Sequence, residues 1–200
     1  EYRFEPNKTI THWYQSQRTK EFLETKKLDN DIAYLCDYVT ELFFENLPEL
    51  GHFPKENIIT YNPKKGLDKI EQYMALLPNY TWIPLSGMTR EEMRDTLRRT
   101  KLHLDFGYFP GRDKIPREAL ISGACLLTGR LGTSEFKEDL GCSLLIKQMD
   151  INVIPTTVVA EVLLDENSSY ANSLEYCSPY KKDNNFEFKF YMNLNFKEVF

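Results

Sequence analysis

The chain has 200 residues, of which 42% are hydrophobic and 14% aromatic, so it can bury the core of a full domain. Its net charge of −5 lacks the surplus of Lys and Arg with which nucleic-acid-binding proteins displace counterions from phosphates. No apolar run approaches the roughly 20 residues of a membrane span. The four cysteines are scattered, which favours buried, reduced thiols over a disulfide framework. We therefore expect a cytoplasmic protein with no transmembrane segment and no nucleic-acid partner.

The first 150 residues alternate strand-like apolar runs with amphipathic stretches. Near the start, the pattern predicts a strand at 10–14, a helix at 17–25 and a strand at 32–37. Further strands are predicted at 57–61, 81–85, 102–106 and 125–128, and helices from 67, from 89 and over 115–124. Short connections marked by Gly or Pro are typical of a parallel α/β sheet flanked by helices, that is, a Rossmann-like fold. In such sheets, ligands bind beyond the carboxyl ends of the strands.

Two loops at predicted strand ends are candidate binding elements. Asn62-Pro63-Lys64-Lys65-Gly66 opens a helix, where free amides, the helix dipole and two lysines favour an anion; a plain turn with solvated lysines is the alternative. Ser86-Gly87-Met88 precedes the next helix, and its glycine allows close approach of a flat ligand. A simple capping turn is the alternative for this second loop, because Thr89 and Glu92 form a capping box.

The segment from Asp105 to Glu118 is the richest in chemistry. Its 14 positions hold two glycines (Gly107 and Gly111), two prolines, three basic residues and three carboxylates. Arg112, Lys114 and Arg117 can offset a diphosphate, and Glu118 can accept hydrogen bonds from the two hydroxyls of a ribose. The alternative is an internal ion-pair cluster, for which Asp113 and Arg117 have the i,i+4 spacing of a helix.

The histidines and cysteines give no spacing typical of a metal site, so we expect no bound metal and no cofactor. His103 lies in an apolar strand and is expected in the core. His12 precedes Trp13-Tyr14 at a strand end, where it either faces the cleft or lies on the surface.

The sequence resembles the carboxy-terminal half of a GT-B glycosyltransferase of the bacterial and viral polysaccharide-biosynthesis type. The pattern N-P-K-K-G, then D-F-G-x-H-P-G-K-D-R-I-P-R-E-A, then a G-S turn, is matched at Asn62–Gly66, Asp105–Ala119 and Gly132-Thr133-Ser134. The likeness extends upstream to Ser16, Phe22-Leu23 and Cys36-Asp37-Tyr38, and covers most of residues 10–140.

The resemblance implies a domain that holds a nucleoside-diphosphate sugar, usually without a metal. It implies that Lys64 or Lys65 and Arg112 face the diphosphate, that Glu118 holds the ribose, and that the loop Ser86–Met88 borders the base. Residues 1–50 would be the end of an amino-terminal, acceptor-side region. Residues 51–150 would be the nucleotide-sugar-binding domain, and 151–200 carboxy-terminal helices that pack back on the body.

Three positions depart from the family pattern. Phe109 stands where the family has His, and Arg112-Asp113-Lys114 stands for Lys-Asp-Arg. Retaining relatives often carry a second glutamate eight residues before the ribose-binding one, where this chain has Pro110. Asp105 or Asp113 could take over that catalytic place, with His12 as a further candidate.

The resemblance therefore predicts a hexosyltransferase that moves a hexose or deoxyhexose, rhamnose among them, from a nucleoside-diphosphate sugar to a glycan hydroxyl. A UDP-sugar is the expected donor, and an amino-terminal domain of a longer polypeptide is an expected partner. The alternative is a catalytically inactive module that binds a nucleotide sugar or docks a partner. A nucleotide-sugar epimerase of the same fold is a weaker third hypothesis.

Overall fold

The computed structural model describes residues 10–26, 31–35, 37–46 and 53–140, and the backbone of 146–149. The helices expected in 151–200 lie outside these residues, as do Cys36, Cys142 and Cys177. Within the described ranges, no helix is both long enough and apolar enough to cross a bilayer.

The described residues form two parallel sheets. Strands β1 (His12–Tyr14) and β2 (Ile32–Tyr34) pair in register around helix α1 (Gln17–Thr25). The larger sheet consists of β3 (Ile58–Tyr61), β4 (Thr81–Pro84), β5 (Leu102–Asp105), β6 (Cys125–Gly129) and β7 (Ile146–Met149). Its helices are α2 (Leu67–Leu76), α3 (Arg90–Arg99), α4 (Lys114–Ile121) and α5 (Lys137–Leu140). Single 3-10 turns lie at Glu41–Phe43 and Thr133–Glu135. The predicted Rossmann-like α/β fold is confirmed.

The strand order of the larger sheet is β4-β3-β5-β6-β7, with every pair parallel. The chain therefore moves outward from β3 in one direction and then from β5 in the other. Where the connections from two adjacent strands run in opposite directions, a crevice forms between their loops. This topological switch point is where doubly wound sheets bind ligands. Here the switch point lies between the carboxyl ends of β3 and β5.

Helices cover both faces of this sheet. On one face, Ile70 and Tyr73 of α2 pack on Ile59, Leu104 and Leu127. On the other, α3 and α4 pack with Val39 and Phe43 from the segment that precedes the sheet. His103 points into this interior, with its Nδ1 3.1 Å from the Thr60 hydroxyl, and burial lowers its pKa to about 3. The expectation that His103 is a core residue is confirmed.

Local signals explain the helix starts. Thr89 accepts from the Glu92 amide and Glu92 accepts from the Thr89 amide, which completes the predicted capping box of α3. Ser16 caps α1, and the Asp139 carboxylate accepts from the first-turn amide of Gln17 at 2.7 Å. This contact ties α1 to α5, which follows β6.

Candidate functional site

Two predicted loops meet at the switch point. The loop after β3 brings Lys65 to Asp113, which belongs to the loop after β5, and the two side chains form an ion pair. The Lys65 ammonium also lies 4.5 Å from the centre of the Phe109 ring. The side chains of Lys65 and Asp113 are 21% and 23% exposed, so this pair can be reached from solvent. The sequence predicted Lys65 at an anion site and Asp113 as a catalytic candidate or a partner of Arg117, and it did not pair the two.

Gly66 is the residue that allows the two loops to approach so closely. It has a left-handed φ of +67°, and a Cβ built there would lie 2.7 Å from the Cβ of Phe106. Gly87, in the loop after β4, has a similar φ of +71° but nothing within 4 Å of its Cβ position.

These two glycines give a matched test. We expect Gly87→Ala to cost about 1 kcal/mol, the price of a side chain in the left-handed region. We expect Gly66→Ala to cost roughly 1–2 kcal/mol more, because Phe106 is buried and cannot withdraw. Chemical denaturation of both variants measures the difference. Equal losses would mean that the loops are not in contact at Gly66.

Asp105 ends β5 beneath the Lys65–Asp113 pair and is fully buried. Its Oδ1 accepts from the Gly107 amide at 3.3 Å, and its Oδ2 has no hydrogen-bond partner among the described residues. Burial raises the pKa of Asp105 to about 6, and the neighbouring Lys65 ammonium opposes that rise. A carboxyl that titrates near neutrality at a ligand crevice is suited to proton transfer.

The raised pKa of Asp105 makes stability depend on pH. The folded protein holds this proton up to about pH 6, whereas the unfolded chain releases it near 3.8. The stabilising contribution is therefore complete below the unfolded pKa and is lost as pH rises through the folded one. Asp105→Asn removes this titration. We therefore expect the stability of the variant relative to the parent protein to rise by about 2 kcal/mol when the pH is raised from 4 to 7. Denaturation at both pH values tests this, with exposed Asp68→Asn as a control that should show no such gain.

Glu118 lies in α4 with its side chain fully buried. Its Oε1 pairs with the guanidinium of Arg90, at the start of α3, while its Oε2 has no hydrogen-bond partner in the described part of the chain. The loop Ser86–Met88 ends two residues before Arg90, so it leads directly to the residue that pairs with Glu118. A buried carboxylate with one oxygen that lacks a hydrogen-bond partner is a strong acceptor for ligand hydroxyls.

The two arginines of the segment have internal partners. Arg112 donates to the Tyr34 hydroxyl at 2.9 Å and to the Asp139 carbonyl at 3.1 Å. Arg117 has no exposed side-chain surface and binds the carboxylate and carbonyl of Asp37. The alternative of an Asp113–Arg117 ion pair is wrong, since Arg117 takes only the backbone carbonyl of Asp113 and that carboxylate pairs with Lys65.

The other predicted donor-binding residues differ in their exposure to solvent. Lys64 and Ser86 are exposed, and Met88 packs partly on the core. Lys114 is 45% exposed, 3.8 Å from Asp37 and 5.1 Å from the ring centre of Tyr38. A Cβ on Gly111 would meet open space, whereas one on Gly107 would collide with the Lys65 side chain. Gly107 thus permits the position of Lys65.

His12 is buried in β1, and its amide donates to the Asp31 carbonyl at 2.8 Å. The alternative that placed His12 on the surface is therefore wrong. Among the described residues, no three His, Cys, Asp or Glu side chains cluster as metal ligands would.

Arg112 also borders a cavity of about 300 Å³ between the small sheet and α5. Tyr14 and Tyr34 line it, with ring centres 5.6 Å apart, together with Ser16, Gln17 and Asp139. Sequence reasoning did not find this cavity, because its walls come from segments about 120 residues apart that only the tertiary fold joins.

Comparison with known proteins gives a fold but no sequence family. No protein-family model matches the chain, and no curated protein matches its sequence. Sucrose-phosphate synthase from Thermosynechococcus elongatus superposes with a TM-score of 0.67 at 11% identity, over 94% of this chain and 58% of that one. A variant of TarM from S. aureus, solved with UDP, gives 0.61 at 17% identity, over 91% and 43%. The chain has the GT-B glycosyltransferase fold.

The pneumococcal O-GlcNAc transferase GtfA, solved with UDP and GlcNAc, shares the GT-B fold with a TM-score of 0.58 at 15% identity, over 94% of this chain and 45% of that one. The present chain thus spans about half the length of these GT-B structures. The predicted fold is confirmed, and the N-P-K-K-G and D-F-G motif resemblance stays a prediction.

Proposed function

We propose that the chain is the donor-binding part of a glycosyltransferase that takes a nucleoside-diphosphate sugar. The observation that carries the proposal is a pair of features in the segments that follow the neighbouring strands β3 and β5. Lys65 supplies a reachable cation at the β3/β5 switch point, and Glu118 supplies a buried carboxylate with one unpartnered oxygen, next to Arg90 at the start of α3. The GT-B fold supports the same ligand class.

In this proposal the diphosphate lies between Lys65 and the amino terminus of α4. Asp113 is the N-cap of that helix, and its side chain caps no amide, so the helix start can face an anion. The diphosphate displaces Asp113 from Lys65, with Lys64 and Lys114 nearby in the exposed rim. Arg112 and Arg117 do not contact the diphosphate in this proposal. They fix the conformation of the loop after β5, because their guanidinium groups bind Tyr34, Asp37 and backbone carbonyls.

The transfer breaks the bond between the sugar C1 and the diphosphate oxygen and forms a bond from C1 to an acceptor hydroxyl, which gives up its proton. We propose that Lys65 stabilises the charge on the departing diphosphate and that this is the main catalytic contribution, without a metal. Asp105 is the preferred acceptor of the proton, because its pKa of about 6 suits a general base. Asp113 and His12 are the other candidates for this role.

Uracil is the base that we propose, with a hexose or deoxyhexose such as rhamnose as the sugar. Two solved structures of the same fold hold UDP, which supports the base alone. We place the glycan acceptor in the cavity beside Arg112, where the Tyr14 and Tyr34 rings and several hydroxyl, amide and carboxylate groups offer stacking and hydrogen bonds.

The whole protein's assembly belongs to the same proposal. Because the chain spans about half the length of the matched structures, we propose that an amino-terminal domain completes the cleft. A cytoplasmic setting fits the buried thiol of Cys125, which suits a reducing compartment.

One observation favours a second candidate, an inactive nucleotide-sugar-binding module. Phe109, which replaces the family's histidine, is fully buried beneath Lys65 and donates and accepts backbone hydrogen bonds with Leu131 and Thr133. This place therefore holds no group that can transfer a proton. Turnover of a UDP-sugar with a glycan acceptor separates the two candidates, since the inactive module binds the donor without forming product.

Calorimetry with UDP, GDP, dTDP and CDP tests the proposal itself. We expect one of these nucleotides to bind, and Lys65→Met to weaken that binding about tenfold through loss of one charge-assisted hydrogen bond. Lys101→Met is the matched control, because Lys101 lies at the opposite end of β5 and its loss should leave the affinity unchanged. Absence of binding to all four nucleotides would overturn the proposed function.

A further inference from the structure

Arg90 is absent from every motif of the sequence, yet it makes the contact that decides the geometry of Glu118. One of its guanidinium nitrogens, Nη2, pairs with Oε1 of Glu118 across a separation of 28 residues. The Glu118 side chain is 0% exposed and that of Arg90 is 42% exposed, so the arginine links a buried carboxylate to the solvent-exposed surface.

Three further contacts hold the Arg90 guanidinium. Its Nη1 lies 3.5 Å from the sulfur of Met93, one turn along α3, and its Nη2 lies 3.5 Å from the Thr40 hydroxyl. The guanidinium carbon lies 5.0 Å from the ring centre of Phe43, which is fully buried. Two separate segments, α3 and residues 40–43, therefore position this side chain. A planar guanidinium held at several points can fix the plane of the carboxylate that it binds.

The second carboxylate oxygen of Glu118, Oε2, has no hydrogen-bond partner among the described residues and can accept one from a ligand. An ionised carboxylate offers about four acceptor sites, and burial of an unpartnered oxygen is costly unless a ligand meets it. Arg90 occupies Oε1 and thereby leaves Oε2 as the acceptor for a ligand donor. The vicinal hydroxyls of a ribose are donors of the right kind, whereas a 2′-deoxyribose lacks one of them.

We propose that Arg90 is a positioning residue that sets Glu118 for a ribose, and that the Arg90–Glu118 pair makes the site select ribonucleotides over 2′-deoxyribonucleotides. This inference rests on the proposed function and adds the part of the donor that the pair reads. Without Arg90, the buried carboxylate loses its only ion-pair partner among the described residues, and its plane is no longer fixed.

The test compares UDP with 2′-deoxy-UDP by calorimetry on the parent chain and on Arg90→Met, Arg90→Lys and Arg99→Met. Arg99 is the matched control, because it ends the same helix and pairs with Glu56 at 3.3 Å away from the crevice. We expect the parent to prefer UDP by about tenfold, Arg90→Met to bring the ratio close to one, and Arg90→Lys to restore it in part. Arg99→Met should keep the parent ratio.

A second arm uses Glu118→Gln, in which further loss of Arg90 should leave the affinity ratio unchanged, since Arg90 acts on the ribose only through the Glu118 carboxylate. Unfolding midpoints confirm that each variant is folded. If Arg90→Met does not fold, the affinity ratio of Arg90→Lys is compared with that of the parent instead. A parent chain that binds UDP and 2′-deoxy-UDP equally, or an Arg90→Met variant that keeps the parent ratio, overturns this inference while nucleotide binding stands. A parent chain that binds no nucleotide overturns the proposed function as well.

Discussion

Glu118→Gln is expected to lower the affinity for UDP by roughly ten- to a hundredfold, because a hydrogen bond to a charged acceptor contributes about 1.5–3 kcal/mol. The substitution keeps the volume of the buried side chain, so a cavity does not confuse the result. It replaces one acceptor oxygen by an amide nitrogen that can only donate, and it removes the charge that pairs with Arg90. Calorimetry at constant pH and salt gives the change directly.

Glu56→Gln is the control for this prediction. Glu56 is also a glutamate in an ion pair with an arginine, but its side chain is 53% exposed and lies just before β3, at the opposite end of the sheet from the crevice. We expect its substitution to leave the UDP affinity within about twofold, since exposed pairs contribute little. Equal affinities of the parent and Glu118→Gln would remove Glu118 from the donor site.

Arg117→Met is expected to have the largest effect on stability, a loss of about 3–5 kcal/mol in the free energy of unfolding. The guanidinium is wholly buried, with one nitrogen 2.7 Å from the Asp37 carboxylate and contacts to the Arg112 and Asp113 carbonyls at 2.8 and 3.2 Å. Its loss leaves the Asp37 charge and these carbonyls without their donors in a water-poor interior.

Arg99→Met is the matched stability control, since its 50% exposed pair with Glu56 should contribute under about 1 kcal/mol. Denaturant unfolding of the parent and both variants compares the two sites. We also expect Arg117→Lys to recover less than half of the loss, because an ammonium cannot span the same acceptors. A loss below about 1 kcal/mol for Arg117→Met would mean that Arg117 does not hold the loop after β5.

Local patterns predicted the elements of this fold, and tertiary contacts decided the partners of the charged residues. Alternating strands and helices, the Thr89–Glu92 capping box and the turn at Gly66 depend on residues close in sequence, and each is found where the pattern places it. The 3-10 turn at Glu41–Phe43 was not predicted, because Phe43 is placed by packing against α3 and α4. Strand β7 was also missed, since its run Ile-Lys-Gln-Met has no strong strand pattern.

The sequence could not predict the directions in which the charged side chains of the candidate site point. The density of charge in Asp105–Glu118 marked the right segment, yet Arg112 and Arg117 turn toward Tyr34 and Asp37, residues about 80 positions away. The role of Arg90 depends in the same way on a contact between two helices. Ion pairing and hydrogen bonding select such partners only after the fold has brought these distant segments together.

The crystal structure of this chain soaked with UDP tests the central claim most directly. We expect the diphosphate beside Lys65 at the start of α4, with Asp113 displaced, and the ribose hydroxyls on Oε2 of Glu118 while Arg90 keeps Oε1. The uracil is expected against the loop Ser86–Met88. UDP bound away from the β3/β5 crevice, or bound there with its ribose facing solvent and Glu118 untouched, would contradict it.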